Sequence, residues 1–290
     1  MRNKENRLII LVTLVPLIVF YCVFLIYPII HQLVGSFFKW NPLIDQFDFV
    51  GLRNYYEVIR DISFWKSLFN TFYFTCIVLV LRTAIGLLLA VLINNVRYFK
   101  AFFRTAYFMP VVTSMVAVAL VWKWMYDPSI GVFNAILSSL GFDGLGWLKD
   151  SKLALPSIML MSIWKDAGFA MVLYLAAMSN IPVEFYEAAR LDGGNNWQIL
   201  RHITLPLVKP ATVFVLITGT ITYLQTYTQV FIMTGGGPGD ASSTVVFLIW
   251  KEAFTKWNFG YASAITQVLF IIILLLGLIQ LKYMRSYWHV

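Results

Sequence analysis

The chain has 290 residues, 60% hydrophobic and 12% charged, with a formal net charge of +8. Soluble domains carry roughly 45–50% apolar and about 25% charged residues, which excludes an ordinary globular enzyme or binding domain. The positive balance does not indicate a nucleic-acid partner, because the basic residues sit in short connections between apolar runs rather than on one face.

A helix needs roughly 20 apolar residues to cross a bilayer core. Six runs of that order are present: Leu8–Ile30, Leu68–Ile93, Thr105–Tyr126, Leu153–Met178, Leu207–Met233 and Tyr261–Leu281. Lipid offers the backbone no hydrogen-bond partners, so such runs are predicted to be helices, and they are too long and uniformly apolar for barrel strands. The prediction is an all-α integral membrane protein with six transmembrane helices, one membrane domain over residues 1–290 with its core at about 68–284.

The first run follows Arg2, Lys4 and Arg7. Its length and the lack of a small-residue cleavage pattern favour an uncleaved span over a signal peptide. Cys22 in this run and Cys76 in the second are expected to pack rather than pair. Val34–Ser67, the longest extramembrane piece, holds Gly51-Leu52-Arg53-Asn54-Tyr55-Tyr56 and Phe64-Trp65, with Asn70-Thr71 just beyond. On physical grounds alone an aromatic belt at the membrane surface accounts for its Tyr and Trp. Run two carries Arg82 near its middle, too deep to snorkel, which leaves structural pairing and a functional contact both open. Arg97, Lys100 and Arg104 fill the next connection. Lys123 of run three is within snorkelling reach of the interface, beside Trp122 and Trp124. Run four holds Trp164 and the neighbours Lys165 and Asp166, whose side chains diverge on a helix, so each needs its own partner. The positive-inside rule places the N-terminal cations, the Arg97–Arg104 connection, Lys282 and Arg285 in the cytoplasm, with both termini. The outer connections nevertheless hold Lys39, Arg53, Arg60, Lys66, Lys149, Lys152, Lys251 and Lys256.

Residues 179–209 form a polar insert between runs four and five. A stretch of about thirty residues exceeds what a connector needs. A helix is predicted from Pro182, suited to a first helical position, to Asp192, with Glu184 in its first turn and Gly193 or Gly194 as the left-handed stop. Asn195 then caps a second helix through about Ile203, and Pro206 and Pro210 end it and open run five. Phe185, Ala188 and Ala189 share a face, while Glu187 and Arg190 are spaced to pair or to meet a partner. An amphipathic surface helix is the plain alternative, but it requires neither the Asp192-Gly193 turn nor Ile203-Thr204-Leu205-Pro206.

Run five is the most polar. Thr218, Thr222, Gln225 and Gln229 lie on one helical face, with Thr220, Tyr223 and Tyr227 on the adjacent one. Hydrogen bonding between helices and a solute path both account for them. Thr234-Gly235-Gly236-Gly237-Pro238 follows, a turn no helix continues through. It lacks the preceding strand and the Lys-Ser/Thr of a nucleotide loop.

Glu187-Ala188-Ala189, Asp192-Gly193 and Ile203-Thr204-Leu205-Pro206 reproduce the form E-A-A-x-x-D-G-x(9)-I-x-L-P. The insert therefore resembles the EAA loop of ABC-type importer permeases. The patterns at Gly51–Tyr55, Phe64–Thr71, Thr234–Pro238 and Phe259–Ala264 are similar to those of the sugar-importing, maltose-type members. The resemblance implies a type I ABC importer permease fold with a cytoplasmic coupling helix. It implies that Glu187, Ala188, Ala189, Arg190, Asp192, Gly193, Ile203, Leu205 and Pro206 dock on a separate dimer of ATPase subunits, which bind the ATP and Mg that this chain does not. It further implies an extracytoplasmic solute-binding protein, a bacterial or archaeal cell membrane and a second homologous permease. The tail Lys282–Val290 has no glycine, which resembles the class lacking a glycine- and lysine-containing tail and implies a heterodimer. Arg82, Trp164, Asp166, Thr222, Tyr223, Gln225 and Tyr227 are the candidate sugar-path residues, a glycerol-phosphate-type solute being the alternative within this family. An ion-coupled secondary transporter would show internal repeats. A membrane enzyme is disfavoured because His31, His202 and His289 lack metal-ligand spacing and no serine sits in a nucleophile elbow.

Overall fold

The computed structural model describes residues 13–96 and 98–284. In chain order the elements are α1 (Thr13–Gly35), a hairpin of β1 (Phe38–Asn41) and β2 (Gln46–Phe49), α2 (Arg53–Arg60), α3 (Ile62–Asn95), α4 (Lys100–Val112), α5 (Met115–Met125), α6 (Val132–Ser139), α7 (Ala154–Ser179), α8 (Val183–Leu191), α9 (Asn196–Leu207), α10 (Lys209–Leu224), α11 (Thr228–Met233), α12 (Val245–Trp250) and α13 (Phe259–Met284). Of these, α1, α3, α7 and α13 are long and apolar enough to cross a bilayer. The pairs α4–α5 and α9–α10 make six if each bent pair is one span. Arg2, Lys4, Arg7, Arg97, Arg285 and the tail beyond Met284 lie outside the described residues.

Two predicted spans are not straight. Run three bends by 94° between α4 and α5. Pro110 supplies no N–H to the last turn of α4, and Thr113 and Ser114 then adopt extended ψ values of 142° and 131°. Run five bends by 62° at Val208, between Pro206 and Pro210, and unwinds again after Leu224, so Gln225 and Tyr227 fall outside the continuous helix expected over Leu207–Met233. The two cysteines, expected to pack, are free and exposed.

Chain contacts divide the protein into two compact units. The first comprises the described residues up to Phe64 with Leu248–Phe270. Its hairpin was not foreseen, yet the alternation is there: Phe38 pairs with Phe49 and Trp40 with Phe47 on one face, Lys39 with Asp48 on the other. Phe38 stacks on Phe47 at 4.2 Å. The Gly51–Tyr55 motif is the latch of this unit. Buried Asn54 donates its side-chain N–H groups to the carbonyls of Ser36 (2.8 Å) and Phe38 (2.9 Å), and the Tyr55 hydroxyl lies 2.6 Å from Ser36 Oγ. Tyr261 donates to Asp61 at 2.6 Å.

The second unit comprises Trp65–Phe247 with the residues from Ile271 on. Its core gathers Ala90 and Ile93 of α3, Ala170, Met171, Tyr174 and Met178 of α7, and Val208 and Val215 of run five. Helices in lipid associate through small residues that permit close approach. At Gly168 of α7 a Cβ would stand 2.0 Å from the Tyr107 carbonyl oxygen, so α4 and α7 touch backbone to backbone. Beside this contact, buried Lys165 donates to the carbonyls of Pro110 and Val111, both at 3.0 Å. A cation at a helix C-terminus meets the negative end of the dipole and satisfies carbonyls that have no next turn. Lys165 thus stabilises the break in run three. Lys123, expected to snorkel, instead donates to the Ile232 carbonyl near the end of α11 at 2.9 Å.

The glycine-rich loop is held on the start of α3. Asn70 donates to the carbonyls of Asp240 (3.2 Å) and Ser243 (3.0 Å), Lys66 to that of Gly239 (2.6 Å), and the Thr71 hydroxyl accepts the N–H of Val245 (2.9 Å). The Asn70-Thr71 pair at the head of run two is therefore a loop anchor.

Candidate functional site

Two places in the second unit concentrate polar groups at positions the sequence singled out. The first is the insert. Pro182, expected as the first helical residue, sits at the N-cap instead, and α8 runs from Val183 to Leu191. Gly194 N–H donates to the Ala189 carbonyl (2.9 Å) and Gly193 N–H to that of Arg190 (3.1 Å), the paired bonds of a Schellman ending. The two glycines divide the task. Gly193 takes φ +76° with open space around it, while a Cβ on Gly194 would come 2.7 Å from the Ala189 oxygen. Asn195 then opens α9 through a capping box: its Oδ1 accepts Gln198 N–H (2.9 Å) and its own N–H donates to Gln198 Oε1 (2.8 Å). Backbone bonds at the end of α8 and side chain–backbone bonds at the start of α9 fix the angle between the two helices.

No residue of α8 is buried. Val183, Phe185, Leu191 and Trp197 expose large apolar side chains, Leu191 to 89% and Trp197 to 66%. Glu187, Ala188, Arg190, Asp192, Gly193, Leu205 and Pro206 are exposed, and Ala189 and Ile203 are half-buried. Glu187 and Arg190 form no ion pair with each other. Both border a cavity of about 300 Å³ that also meets Asn94 and Asn95 at the end of α3 and Ile199 of α9. Large apolar side chains left exposed on a helix outside the spans mark an interaction site.

The second place lies where α3, α7 and α10 meet. Arg82, 4% exposed, donates from Nη1 to the Tyr223 hydroxyl (3.1 Å) and from Nη2 to the Val215 carbonyl (3.2 Å). The Tyr223 hydroxyl donates onward to Asp166 Oδ2 at 2.9 Å. Tyr223 is 1% exposed and bonded on both sides of its oxygen, which leaves it no face for a solute. Three residues expected along one path are thus a cross-brace between helices. Thr222 and Gln225 do face outward; Trp164 is exposed with its ring 5.4 Å from Trp122; Tyr227 is half-buried and stacks on Phe231 at 5.4 Å. Sequence reasoning passed over Thr244, whose hydroxyl donates to the Thr226 carbonyl (2.7 Å) where run five unwinds, and the Gln280–Thr220 bond at 2.9 Å. A hydroxyl run, Ser242-Ser243-Thr244, was the available signal.

Residues 82–285 match the family of binding-protein-dependent transport system inner membrane components. The chain belongs to that family. This permease is 39% identical to the probable ABC transporter permease protein YurN of Bacillus subtilis, over 98% of both proteins. It is 34% identical to the trehalose/maltose transport system permease protein MalF of Thermococcus litoralis, over 97% of this chain and 95% of that one. Its fold is similar to that of a chain from a bacterial alginate ABC transporter, solved in complex with an alginate pentasaccharide-bound periplasmic protein, with a TM-score of 0.88 at 23% identity over 98% and 96% of the two chains. The matched family region contains the whole insert and the Arg82 brace, and the permease fold expected from the sequence is the fold observed.

Proposed function

We propose that this permease is one of two different membrane subunits of an ATP-driven carbohydrate importer, with α8 and the α8–α9 turn as the contact to a separate ATPase dimer. The observation that carries the coupling role is a helix with no buried residue, exposing apolar side chains and held at a fixed angle by paired glycine and capping-box bonds. Burial of that face against a partner recovers roughly 25 cal/mol per Å². ATP and Mg bind the partner, a solute-binding protein delivers the sugar from the outer side, and both termini lie in the cytoplasm. Closure of the ATPase pair then moves the helices attached to α8 and α9, and the pathway opens alternately to either side. Carbohydrate is supported by relatives named for trehalose/maltose and lactose transport. The outward polar groups of run five, the Gln225 amide as donor and acceptor and the Thr222 hydroxyl as acceptor, are neutral partners of the kind hydroxyl-rich solutes need.

The test is affinity purification of the tagged permease from its native membranes with mass spectrometry of what accompanies it. Recovery of a P-loop ATPase, a second permease and a solute-binding protein is the expected result. Recovery of the chain alone, or as a functional homodimer, overturns the assignment.

A further inference from the structure

A second cavity of about 950 Å³ lies in the second unit, sharing Asn94 with the cavity beside Glu187 and Arg190 but bordered by none of the residues of the α8–α9 turn or the Arg82 brace. It opens where the end of α3, the start of α4 and the end of α7 converge, with Asn94, Lys100 and Arg104 at its mouth and Phe108, Val172 and Leu175 beneath. Three ends of membrane helices at one level put the mouth at the depth of the headgroup layer. Phe108 lies eight residues along α4 from Lys100, a drop of about 12 Å at the helical rise, which takes the cavity from polar to apolar over the length of a headgroup and the first carbons of an acyl chain.

Lys100 and Arg104 are one turn apart on the same face of α4 and both are exposed. Neither has a hydrogen bond or ion pair among the described residues, and no carboxylate borders the cavity. Like charges one turn apart disfavour the helix, so an anion bound between them would stabilise this arrangement. A phosphodiester supplies that anion. The apolar floor distinguishes a lipid from a soluble phosphate, which has nothing to bury there. We infer that this crevice is a binding site for an anionic phospholipid, with Lys100 and Arg104 holding the phosphate and the Phe108–Val172–Leu175 wall taking the upper acyl chain. The site goes beyond the importer reading and does not depend on the identity of the solute.

The experiment is native mass spectrometry of the purified complex released from nanodiscs that contain phosphatidylglycerol and phosphatidylcholine. The wild-type protein is expected to retain phosphatidylglycerol preferentially. The double variant Lys100→Gln/Arg104→Gln loses that retention about fivefold per cation, roughly twenty-five-fold in all. Ala176→Trp, which fills the crevice and leaves both charges in place, is expected to lose it as well. Unchanged phosphatidylglycerol retention in the double variant overturns the site. Full retention in Ala176→Trp shows general surface attraction and overturns the crevice. Displacement by inorganic phosphate alone identifies a free-anion site and overturns the lipid. A benzophenone at position 176 that cross-links to a second permease instead of lipid overturns it too.

Discussion

Gly193 and Gly194 are neighbours required for different reasons, and substitution separates them. At Gly193 only the left-handed φ matters, so Gly193→Asn is expected to retain uptake. Gly193→Val, a β-branched residue at φ +76°, strains the turn by about 1–2 kcal/mol and redirects α8, lowering uptake per molecule inserted. Uptake normalised to membrane-embedded protein checks both, with normal transport by Gly193→Val contradicting the coupling role. The Arg82 brace makes a second prediction at this scale. Tyr223→Phe removes two hydrogen bonds to charged partners and costs on the order of 2–3 kcal/mol, read as a lower melting temperature in detergent. Gln225→Ala, on an exposed side chain, leaves stability unchanged and alters transport kinetics. The opposite pattern, a kinetic effect without instability for Tyr223→Phe, would restore that tyrosine to the solute path. Asp127, outside the spans, accepts the N–H groups of Ser129 and Ile130, which hold its carboxyl below the ordinary carboxylate range. Its contribution is complete above the unfolded carboxylate pKa and is lost as pH falls through the lower folded one. Hydrogen exchange in residues 127–131 should therefore accelerate only in acid, and Asp127→Asn should abolish that limb.

At the scale of elements, the broken spans are the distinctive feature. A break inside a membrane leaves carbonyls without partners, at several kcal/mol each in hydrocarbon. Lys165 answers this at Pro110 and Val111, and Thr244 at Thr226. Lys165→Met is expected to destabilise the α4–α5 junction by about 2–3 kcal/mol and to raise exchange or protease sensitivity near Thr113. Stability equal to wild type would mean that water or lipid headgroups serve those carbonyls. The α4–α7 contact is less forgiving. Gly168→Ala places a methyl on the Tyr107 carbonyl and should prevent accumulation of folded protein, whereas Gly277→Ala, with nothing within 4 Å, should be silent.

At the scale of the molecule, the topology is open to direct labelling. After Cys22 and Cys76 are replaced by serine, Gln46→Cys in the hairpin is expected to react with an impermeant maleimide on intact cells. Asn196→Cys at the coupling turn should react only after permeabilisation. Reversal of the two results would invert the chain in the membrane and remove the insert from any cytoplasmic ATPase.

Much of this was legible before any coordinates. The apolar runs required helices because lipid cannot satisfy a bare backbone, and Pro182, Gly193, Gly194 and Asn195 act through local backbone chemistry that reads the same in one dimension as in three. The α7 span and the two helices of the insert lie within a few residues of where composition put them. The hairpin escaped because four-residue strands leave a weak alternation, masked here by aromatic residues that read equally well as an interfacial belt. The partners of Arg82, Lys165 and Lys123 escaped for a more general reason. Tyr223 is 141 residues from Arg82, and the Pro110 carbonyl is 55 from Lys165. The sequence alone determined that Lys165 needed a partner and that Arg82 lay too deep to stay bare, since an unpaired ion in a membrane is too costly to keep, whereas Lys123 read as a snorkelling side chain. Only the packing of distant helices decided which groups came within reach, and so tied Tyr223 between Arg82 and Asp166.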